Sequence, residues 1–464
     1  MLEKWGIRGN ASALLLGLAV TAEAAAGVVG WVRQEVVQAS GVSSLSAPAV
    51  AAGELAYMLG DARFGGGSTP GVYVQQPFVP GQPVRPVART GEAAPNLGTS
   101  FDDASFSPGQ TRPVVSPAID RELGGVSFLA TVNTPAGRSG VVFSEWSGRG
   151  TLGAVAVPGV TQVGGSNALL TVAGVPSIAF GQTVFQGRDS VGEGVFSANA
   201  AGLPLTKWVS TGDAAPTDLP ISGGSFTGFG AFPMVDWNES KTQLTTAFQA
   251  STNYLSGSSG IYVRTDLAAP KVVVETPKFL PGQNSERFAS FLSPAIDDDI
   301  VAFYAEGTLG TKGIYTGTAG AEVSLVADTH TLIPGTSSVF SGFADRRGFA
   351  YPSINHEAVA FIGFDANGAP GVYTNYAGAL SKVFDFSDFL ALFPNEQLDM
   401  DSIDLFRQGL SGNQIAFRVE SFDPVQQTIR DRVFLAVAVV PVPPTWLLGL
   451  TGLAVLLLSR RRLR

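Results

Sequence analysis

Apolar and polar residues recur along the chain in blocks that predict short β-strands. Each unit has a proline-containing lead, an apolar strand ending in a small residue and an aromatic, a Gly-[Val/Ile]-aromatic strand, and a Val-rich strand. The first aromatic position recurs at Ala56-Tyr57, Ser127-Phe128, Val184-Phe185, Ala247-Phe248, Ala302-Phe303, Ala360-Phe361 and Ala416-Phe417. The second recurs at Val72-Tyr73, Val142-Phe143, Val195-Phe196, Ile261-Tyr262, Ile314-Tyr315, Val372-Tyr373 and Val433-Phe434.

The period of these units predicts one repeat architecture rather than several separate domains. Successive units lie roughly 55 to 70 residues apart, which leaves room for four short strands in each. Tandem immunoglobulin-like sandwiches need about 100 residues each, too many for this period. The run 300–304 is continuously apolar, as expected for a strand covered on both faces. We therefore predict an all-β, seven-bladed β-propeller-like domain over residues 27–440.

The two ends of this domain predict how the ring closes. The last unit lacks the Val-rich strand that closes the other units, because the chain continues from Val433-Phe434 directly into the C-terminal segment. A strand of that type instead precedes the first unit, at residues 32–41. We expect this N-terminal strand to complete the seventh blade, so that no long sheet edge stays open.

The amino-acid composition argues against several classes of function. Charged residues make up 14% of the 464 positions, below the roughly 25% of typical soluble domains. The formal net charge is -9 and no stretch of the body collects Lys or Arg, which argues against nucleic acid as a partner. The absence of cysteine excludes disulfides and thiolate catalysis. The two histidines, His330 and His356, cannot alone form a His-rich metal site.

Residues 1–26 have the order of a secretory signal peptide. Charged residues come first, an uncharged run from Asn10 to Ala22 follows, and small residues continue through Ala26. A short helix that begins the mature fold is the alternative.

The C-terminal segment 441–464 carries three elements in a fixed order. The proline motif Pro441-Val442-Pro443 is followed by an almost unbroken apolar run over 446–458, and then by the cluster Arg460, Arg461 and Arg462. An apolar helix that ends in arginines inserts in a membrane with the arginines on the cytoplasmic side. The run is at the short end of the roughly 17 to 25 residues that a transmembrane helix needs.

This tail resembles the PEP-CTERM sorting signal, and the resemblance covers about the last 25 residues. It implies export by the Sec machinery, transient anchoring in the inner membrane, and processing near the prolines by an exosortase, a membrane-embedded transpeptidase-like enzyme of Gram-negative bacteria that make exopolysaccharide. Val442 stands where the family usually has Glu. A plain tail anchor that is never cut is the alternative.

The body is similar to tandem-repeat exported proteins with an N-x-x-G-x-x-x-x-A-F motif. Asn355 keeps the Asn of that motif, whereas Ala358 replaces its Gly. This resemblance implies a fold and a location but no activity.

Two turns contain oxygen ligands that calcium could use. Asp297, Asp298 and Asp299 form a run before an apolar strand, and Asp365 and Asn367 occupy alternate positions of a short loop. We favour a solvated turn for the first and an Asn-Gly hairpin turn for the second, with calcium binding as the alternative in each. We predict no cofactor and no metal beyond these calcium candidates.

Other residue groups offer only loose chemical hypotheses. The carboxylates near Asp102 and Asp404 would suit a glycoside hydrolase, but carboxylates are plentiful in this chain. No Ser or Cys elbow accompanies the two histidines, and the glycine clusters near 65–67 and 223–224 follow no strand-to-helix pattern. Three tryptophans would stack on sugar rings if they shared one face, with core packing as the alternative: Trp146, Trp208 and Trp237.

The sequence therefore predicts a non-enzymatic exported protein, sorted through its tail to the cell surface or the extracellular matrix, with exopolysaccharide or another protein as the expected ligand. Two alternatives stay open. One is a propeller enzyme that acts on extracellular polysaccharide, and the other is a permanently membrane-anchored adhesin or receptor.

Overall fold

The computed structural model describes residues 30–40, 45–51, 53–60, 69–77, 83–102, 104–106, 116–165, 167–220, 224–238, 240–255, 257–344 and 349–439. The segments 1–26 and 441–464 lie outside the described residues, and so do the candidates Pro441, Val442, Pro443 and Arg460 to Arg462. No helix in the described part of the chain is both long enough and apolar enough to cross a membrane.

Seven antiparallel sheets form the blades, numbered here in chain order. Blade 1 contains β2 (Ala49–Ala51), β3 (Glu54–Leu59), β4 (Gly71–Gln75) and β5 (Arg85–Arg89), and the short pair β6 (Ala93–Ala94) and β7 (Thr99–Ser100) follows it. Blade 2 contains β8 (Ala118–Ile119), β9 (Val126–Thr134), β10 (Gly137–Ser144) and β11 (Gly153–Ala156). Blade 3 contains β12 (Leu170–Ala173), β13 (Ser177–Ala179), β14 (Gln182–Asp189), β15 (Glu193–Ala198) and β16 (Thr206–Ser210).

The second half of the ring repeats this arrangement. Blade 4 contains β17 (Ala214–Ala215), β18 (Gly224–Phe229), β19 (Met234–Trp237), β20 (Leu244–Thr252), β21 (Ser259–Thr265) and β22 (Lys271–Glu275). Blade 5 contains β23 (Phe288–Asp297), β24 (Ile300–Gly307), β25 (Lys312–Gly317) and β26 (Ser324–Asp328). Blade 6 contains β27 (Ser353–Asn355), β28 (Ala358–Phe364), β29 (Pro370–Thr374) and β30 (Ser381–Asp385), with a 3-10 helix at Tyr376–Gly378 and the helix α1 (Phe386–Leu392) after it. Blade 7 contains β31 (Gln397–Asp404), β32 (Leu410–Ser411), β33 (Gln414–Asp423), β34 (Thr428–Val439) and the N-terminal strand β1 (Gly30–Ser40).

The inner strands of the blades contact one another in a closed circle. Strand β8 contacts β13, and the circle continues through β19, β23, β27, β32 and β2 back to β8. In blade 7, β1 pairs with β34 from Gly30 opposite Val439 to Ser40 opposite Arg430, so the N-terminal strand is the outermost strand of the last blade. The prediction of an all-β, seven-bladed propeller is confirmed.

The two recurring aromatic positions face each other across the second and third strands of every blade. Phe303 lies opposite Tyr315 in register, for example, and the two rings stack with centroids 6.0 Å apart. The other six pairs are also stacked, with centroids 5.5 to 6.0 Å apart: Tyr57–Tyr73, Phe128–Phe143, Phe185–Phe196, Phe248–Tyr262, Phe361–Tyr373 and Phe417–Phe434. A cross-strand pair of this kind stabilises each sheet where the next blade packs on it.

A Phe-x-x-Phe motif, which the sequence analysis missed, adds two further rings to three of these pairs. In blade 5, Phe288 meets Tyr315 edge-on at 5.2 Å and Phe291 meets Phe303 edge-on at 5.9 Å. The same motif occupies the same place in blades 4 and 6, at Phe226 and Phe229 and at Phe340 and Phe343. Edge-to-face contacts on a stacked pair fill the space between sheets with apolar rings.

Candidate functional site: the central channel and the face of the inner hairpins

A chain of hydrogen bonds links the hairpins that join each inner strand to the second strand of its blade. We call the side of the ring that carries these hairpins the inner-hairpin face; in blades 3, 5, 6 and 7 they are the turns 180–181, 298–299, 356–357 and 412–413. A polar side chain at the end of one inner strand accepts a hydrogen bond from a backbone N–H of another blade's hairpin. The pairs are Asp120 with Gly181 (2.6 Å), Asp236 with Asp298 (3.0 Å), Asp297 with His356 (2.6 Å) and Asn355 with Gly412 (2.5 Å).

Arg121 crosses the mouth of the central channel on this face. From the inner hairpin of blade 2 its guanidinium donates to the Asp297 carboxylate of blade 5 and, at 2.9 Å, to the Ile354 carbonyl of blade 6. It also lies 3.7 Å from the Asp236 carboxylate of blade 4. One cation thus ties together hairpins from opposite sides of the ring, and its side chain is only 16% exposed.

Asp236 is the most perturbed carboxylate of this cluster. Burial raises its pKa to about 6, and the neighbouring Asp297 acts in the same direction while Arg121 opposes the rise. A carboxylate in this environment is partly protonated near neutral pH.

This pKa predicts a pH effect on stability. Because the native state binds the Asp236 proton more tightly than the unfolded chain does, the stabilisation is present below the ordinary pKa and is lost as pH rises through about 6. Asp236→Asn is therefore expected to flatten the pH dependence of the free energy of unfolding between about pH 4 and 7, by at most about 3 kcal/mol. Chemical denaturation over this range measures it, with the exposed Asp299→Asn as the matched control; equal slopes in the two variants would contradict the assignment.

A second arginine crosses the channel at its other end. Arg407, in blade 7 before β32, is 2% exposed and donates from one terminal nitrogen to the carbonyls of Phe232 and Pro233 in blade 4, each at 2.8 Å. Its guanidinium carbon lies 5.0 Å from the ring centroid of Phe406 and 5.3 Å from that of Phe232. Burial lowers its pKa to about 10. Cation–π contacts and carbonyl dipoles, rather than a described carboxylate, compensate this charge.

Both ends of the described channel are thus filled by side chains whose polar atoms bond to opposite blades. This arrangement holds the ring together across its centre. It leaves the two outer faces of the propeller as the surfaces on which a large ligand would have to bind.

The structure separates the two calcium candidates. Asp297 lies in the inner strand of blade 5 and already accepts from Arg121, Asn355 and His356, so a cation there would have to displace the guanidinium. Asp298 and Asp299 form the turn that follows. In the described part of the chain, no three acidic or histidine side chains are grouped as metal ligands.

Asp365 and Asn367 lie in the hairpin between the second and third strands of blade 6, on the opposite face of the ring. The Asp365 carboxylate accepts from the backbone N–H groups of Asn367 and Ala369, each at 2.8 Å. These bonds are those of a side-chain-capped turn.

The carboxylates proposed for glycoside chemistry are in ion pairs where the structure describes them. Asp102 pairs with Arg138 at 2.6 Å, and hydrogen bonds from Arg138 and Ser105 lower its pKa to about 2. Asp404 pairs with Arg418 in blade 7. These two acids belong to different ion pairs in different blades.

The three tryptophans do not share one environment. Trp208 is buried in β16 and donates to the Ser197 hydroxyl at 2.8 Å. Trp146, in the loop after β10, and Trp237, at the end of β19, are half-buried on the inner-hairpin face. The two histidines also lie apart: His356 is exposed on that face, and His330 lies 3.5 Å from Asp328 after β26.

Sequence reasoning missed Arg121, Asp236 and Arg407. A signal for these hydrogen bonds was present, because an apolar residue followed by Asp or Asn lies within one residue of the C-terminal end of four inner strands: Ile119-Asp120, Val235-Asp236, Ile296-Asp297 and Ile354-Asn355. Arg121 and Arg407 have no counterpart at the corresponding positions of the other units, so the repeat pattern could not reveal them.

The fold and the bridged channel define a closed β-propeller whose last blade is completed by the N-terminal strand. The chain belongs to a family of unknown function, DUF7453, which matches residues 13–411. No curated protein matches it.

Several solved propellers are similar in outline. The β-propeller domain of the Trilobed protease from Pyrococcus furiosus has 10% identity and a TM-score of 0.42, covering 82% of this chain and 96% of that one. A PL25 polysaccharide lyase, an ulvan lyase, has 10% identity and a TM-score of 0.42, covering 86% and 95%. The periplasmic gluconolactonase of Pseudomonas aeruginosa has 11% identity and a TM-score of 0.30, covering 83% and 94%. None of these likenesses bears on the chemistry of this chain.

Proposed function

We propose that this chain is an exported propeller without catalytic activity, sorted through its C-terminal tail to the cell surface or to extracellular polysaccharide. The signal peptide over 1–26 directs export through the Sec machinery. The tail over 441–464 then anchors the chain in the inner membrane until an exosortase processes it. The propeller binds a glycan or a protein on one of its faces.

One observation carries this proposal: neither processing event removes a strand of the ring. The last strand ends at Val439, two residues before Pro441, and the closing strand begins at Gly30, four residues beyond the end of the signal segment. Removal of both segments leaves every blade complete. The filled channel supports a binding rather than a catalytic role, because the polar side chains that line it already bond to one another and to the backbone.

Expression in hosts with and without an exosortase tests this function. We expect the mature protein to lack the first 22 to 26 residues in both hosts, and the tail after about Val440 only where the exosortase is present. Intact mass and fractionation measure both events. Val442→Glu, which restores the residue usual in the PEP-CTERM family, is expected to increase the processed fraction, whereas Pro443→Ala is expected to reduce it.

Persistence of the whole tail in the membrane of both hosts would reject the sorting proposal. The protein would then be a permanently anchored surface propeller. Hydrolysis or elimination of a secreted polysaccharide by the purified protein would reject the non-enzymatic part separately.

A further inference from the structure

Both ends of the propeller leave the ring on the inner-hairpin face. Gly30 lies opposite Val439 in the register of β1 and β34. The backbone N–H of Ala438 donates a hydrogen bond of 2.8 Å to the carbonyl of Asn413, in the inner hairpin of blade 7. The segments that precede residue 30 and follow residue 439 therefore start side by side at this face.

The distance from the last strand to the apolar tail is short. Only residues 440–445 separate Val439 from Trp446, where the apolar run begins. Six residues span at most about 20 Å when fully extended. A tail inserted in a bilayer would therefore hold the inner-hairpin face near the membrane surface.

The same face carries a cluster of apolar side chains, which we call the aromatic patch: the exposed Leu123 and Phe180 and the half-buried Trp146 and Trp237. The rings of Phe180 and Trp237 are 5.1 Å apart. A Cβ placed on Gly181 would lie 2.0 Å from the Trp146 carbonyl oxygen and 3.5 Å from the Leu123 side chain, so these residues are neighbours. The patch spans blades 2 to 4, across the ring from Val439, where the last strand of blade 7 ends.

Phe180 occupies a position that a bulky residue rarely adopts. Its φ is 49°, in the left-handed region, and Gly181 follows at 78° in a two-residue hairpin that favours Asn-Gly. The corresponding hairpin residues of blades 5 and 6 are Asp298 and His356, polar types that tolerate this region better. The phenylalanine ring nevertheless stays 44% exposed. Backbone strain combined with exposure of a large ring indicates a surface role for this residue.

We infer that the inner-hairpin face rests on the lipid bilayer, with the aromatic patch at the interface between headgroups and acyl chains. Aromatic and other large apolar side chains at a protein surface favour this zone. Arg149 and Lys241 beside the patch have side chains about half exposed and pair with Glu54 at 2.9 Å and with Glu122 at 2.5 Å. At a bilayer surface, lipid phosphates would compete for these two cations. The inference rests on the tail anchoring of the proposed function, and it adds an orientation: the opposite face, with Val191 at a hairpin tip, points away from the membrane.

The absence of cysteine gives a direct test, because a single introduced cysteine can be labelled with a fluorophore. The full chain carrying Phe180→Cys is reconstituted into vesicles of phosphatidylethanolamine, phosphatidylglycerol and brominated phosphatidylcholine. Bromine quenches only fluorophores that approach the acyl chains. Val191→Cys, 79% exposed on the opposite face, is the matched control, and Lys241→Cys reports on the inner-hairpin face away from the strained turn.

We expect the fluorescence of labels at 180 and 241 to fall about twofold or more in brominated vesicles, and that of the label at 191 to stay unchanged. Flotation of the protein with the vesicles reports tail insertion independently. If the protein floats but 191 is quenched, or no label is quenched, the orientation is wrong while anchoring stands. If the full chain does not float, anchoring and orientation both fall.

Discussion

Arg418→Ala is expected to lower the free energy of unfolding by about 3–5 kcal/mol, because it removes the cation from a buried ion cluster. Arg418 lies in β33 of blade 7 and is 1% exposed. Its guanidinium pairs with Asp404, Glu420 and Asp431, the last at 2.6 Å. Without it, three neighbouring carboxylates would repel one another in a site with little water. Chemical denaturation of the variant at neutral pH measures the loss.

A surface arginine provides the matched control. Arg188 pairs with Glu193 at 2.8 Å, but its side chain is 59% exposed. Arg188→Ala should change the free energy of unfolding by no more than about 1 kcal/mol. Equal losses in the two arginine variants would contradict the role assigned to the buried cluster.

The same cluster predicts how the free energy of unfolding of the Arg418→Ala variant depends on pH. Burial raises the pKa of Asp431 to about 6 even with Arg418 present, and Arg418 opposes that rise. Removal of the arginine therefore raises this pKa further, so protonation of Asp431 relieves more of the repulsion in the variant than in the parent protein. The stability difference between the two proteins is expected to shrink as pH falls towards about 5.

The repeat could be predicted from the sequence because its signal is local. Ala302-Phe303 and Ile314-Tyr315 belong to adjacent strands of one blade, and the stacked pair they form requires both rings at a fixed register. The same requirement applies to every blade, so the signal recurs seven times. The closing strand could be predicted for a related reason. The regular pattern lacks a strand after β34 and has one strand too many before β2.

The channel could not be predicted in this way because its contacts are remote and occur once. Arg121 and Asp297 are 176 positions apart, and Arg407 reaches a carbonyl 175 positions away. Such pairs arise only when blades from opposite sides of the ring come together. The aromatic patch was hidden for another reason: Trp237 and Phe180 lie in hairpins of different blades, and only the closed ring makes them neighbours.

Deletion of residues 30–40 is expected to cost an amount comparable to the whole stability of a typical domain, about 5–15 kcal/mol, and to leave a chain that self-associates. The deletion exposes the edge of β34 and uncovers buried Val433 and Leu435, against which Val37 packs. It also removes Glu35, whose carboxylate lies 3.3 Å from the buried Arg432.

Size-exclusion chromatography and thermal unfolding measure the effect of this deletion. The control is removal of residues 441–464, which takes no strand from the ring and should leave the unfolding transition of the propeller in place. A monomeric chain that lacks 30–40 and melts with the parent protein would show that the ring does not depend on its closing strand. Under the proposed export, the expected result also limits where the signal segment is removed: the cut would have to fall before Gly30, because a cut within β1 would open the seventh blade.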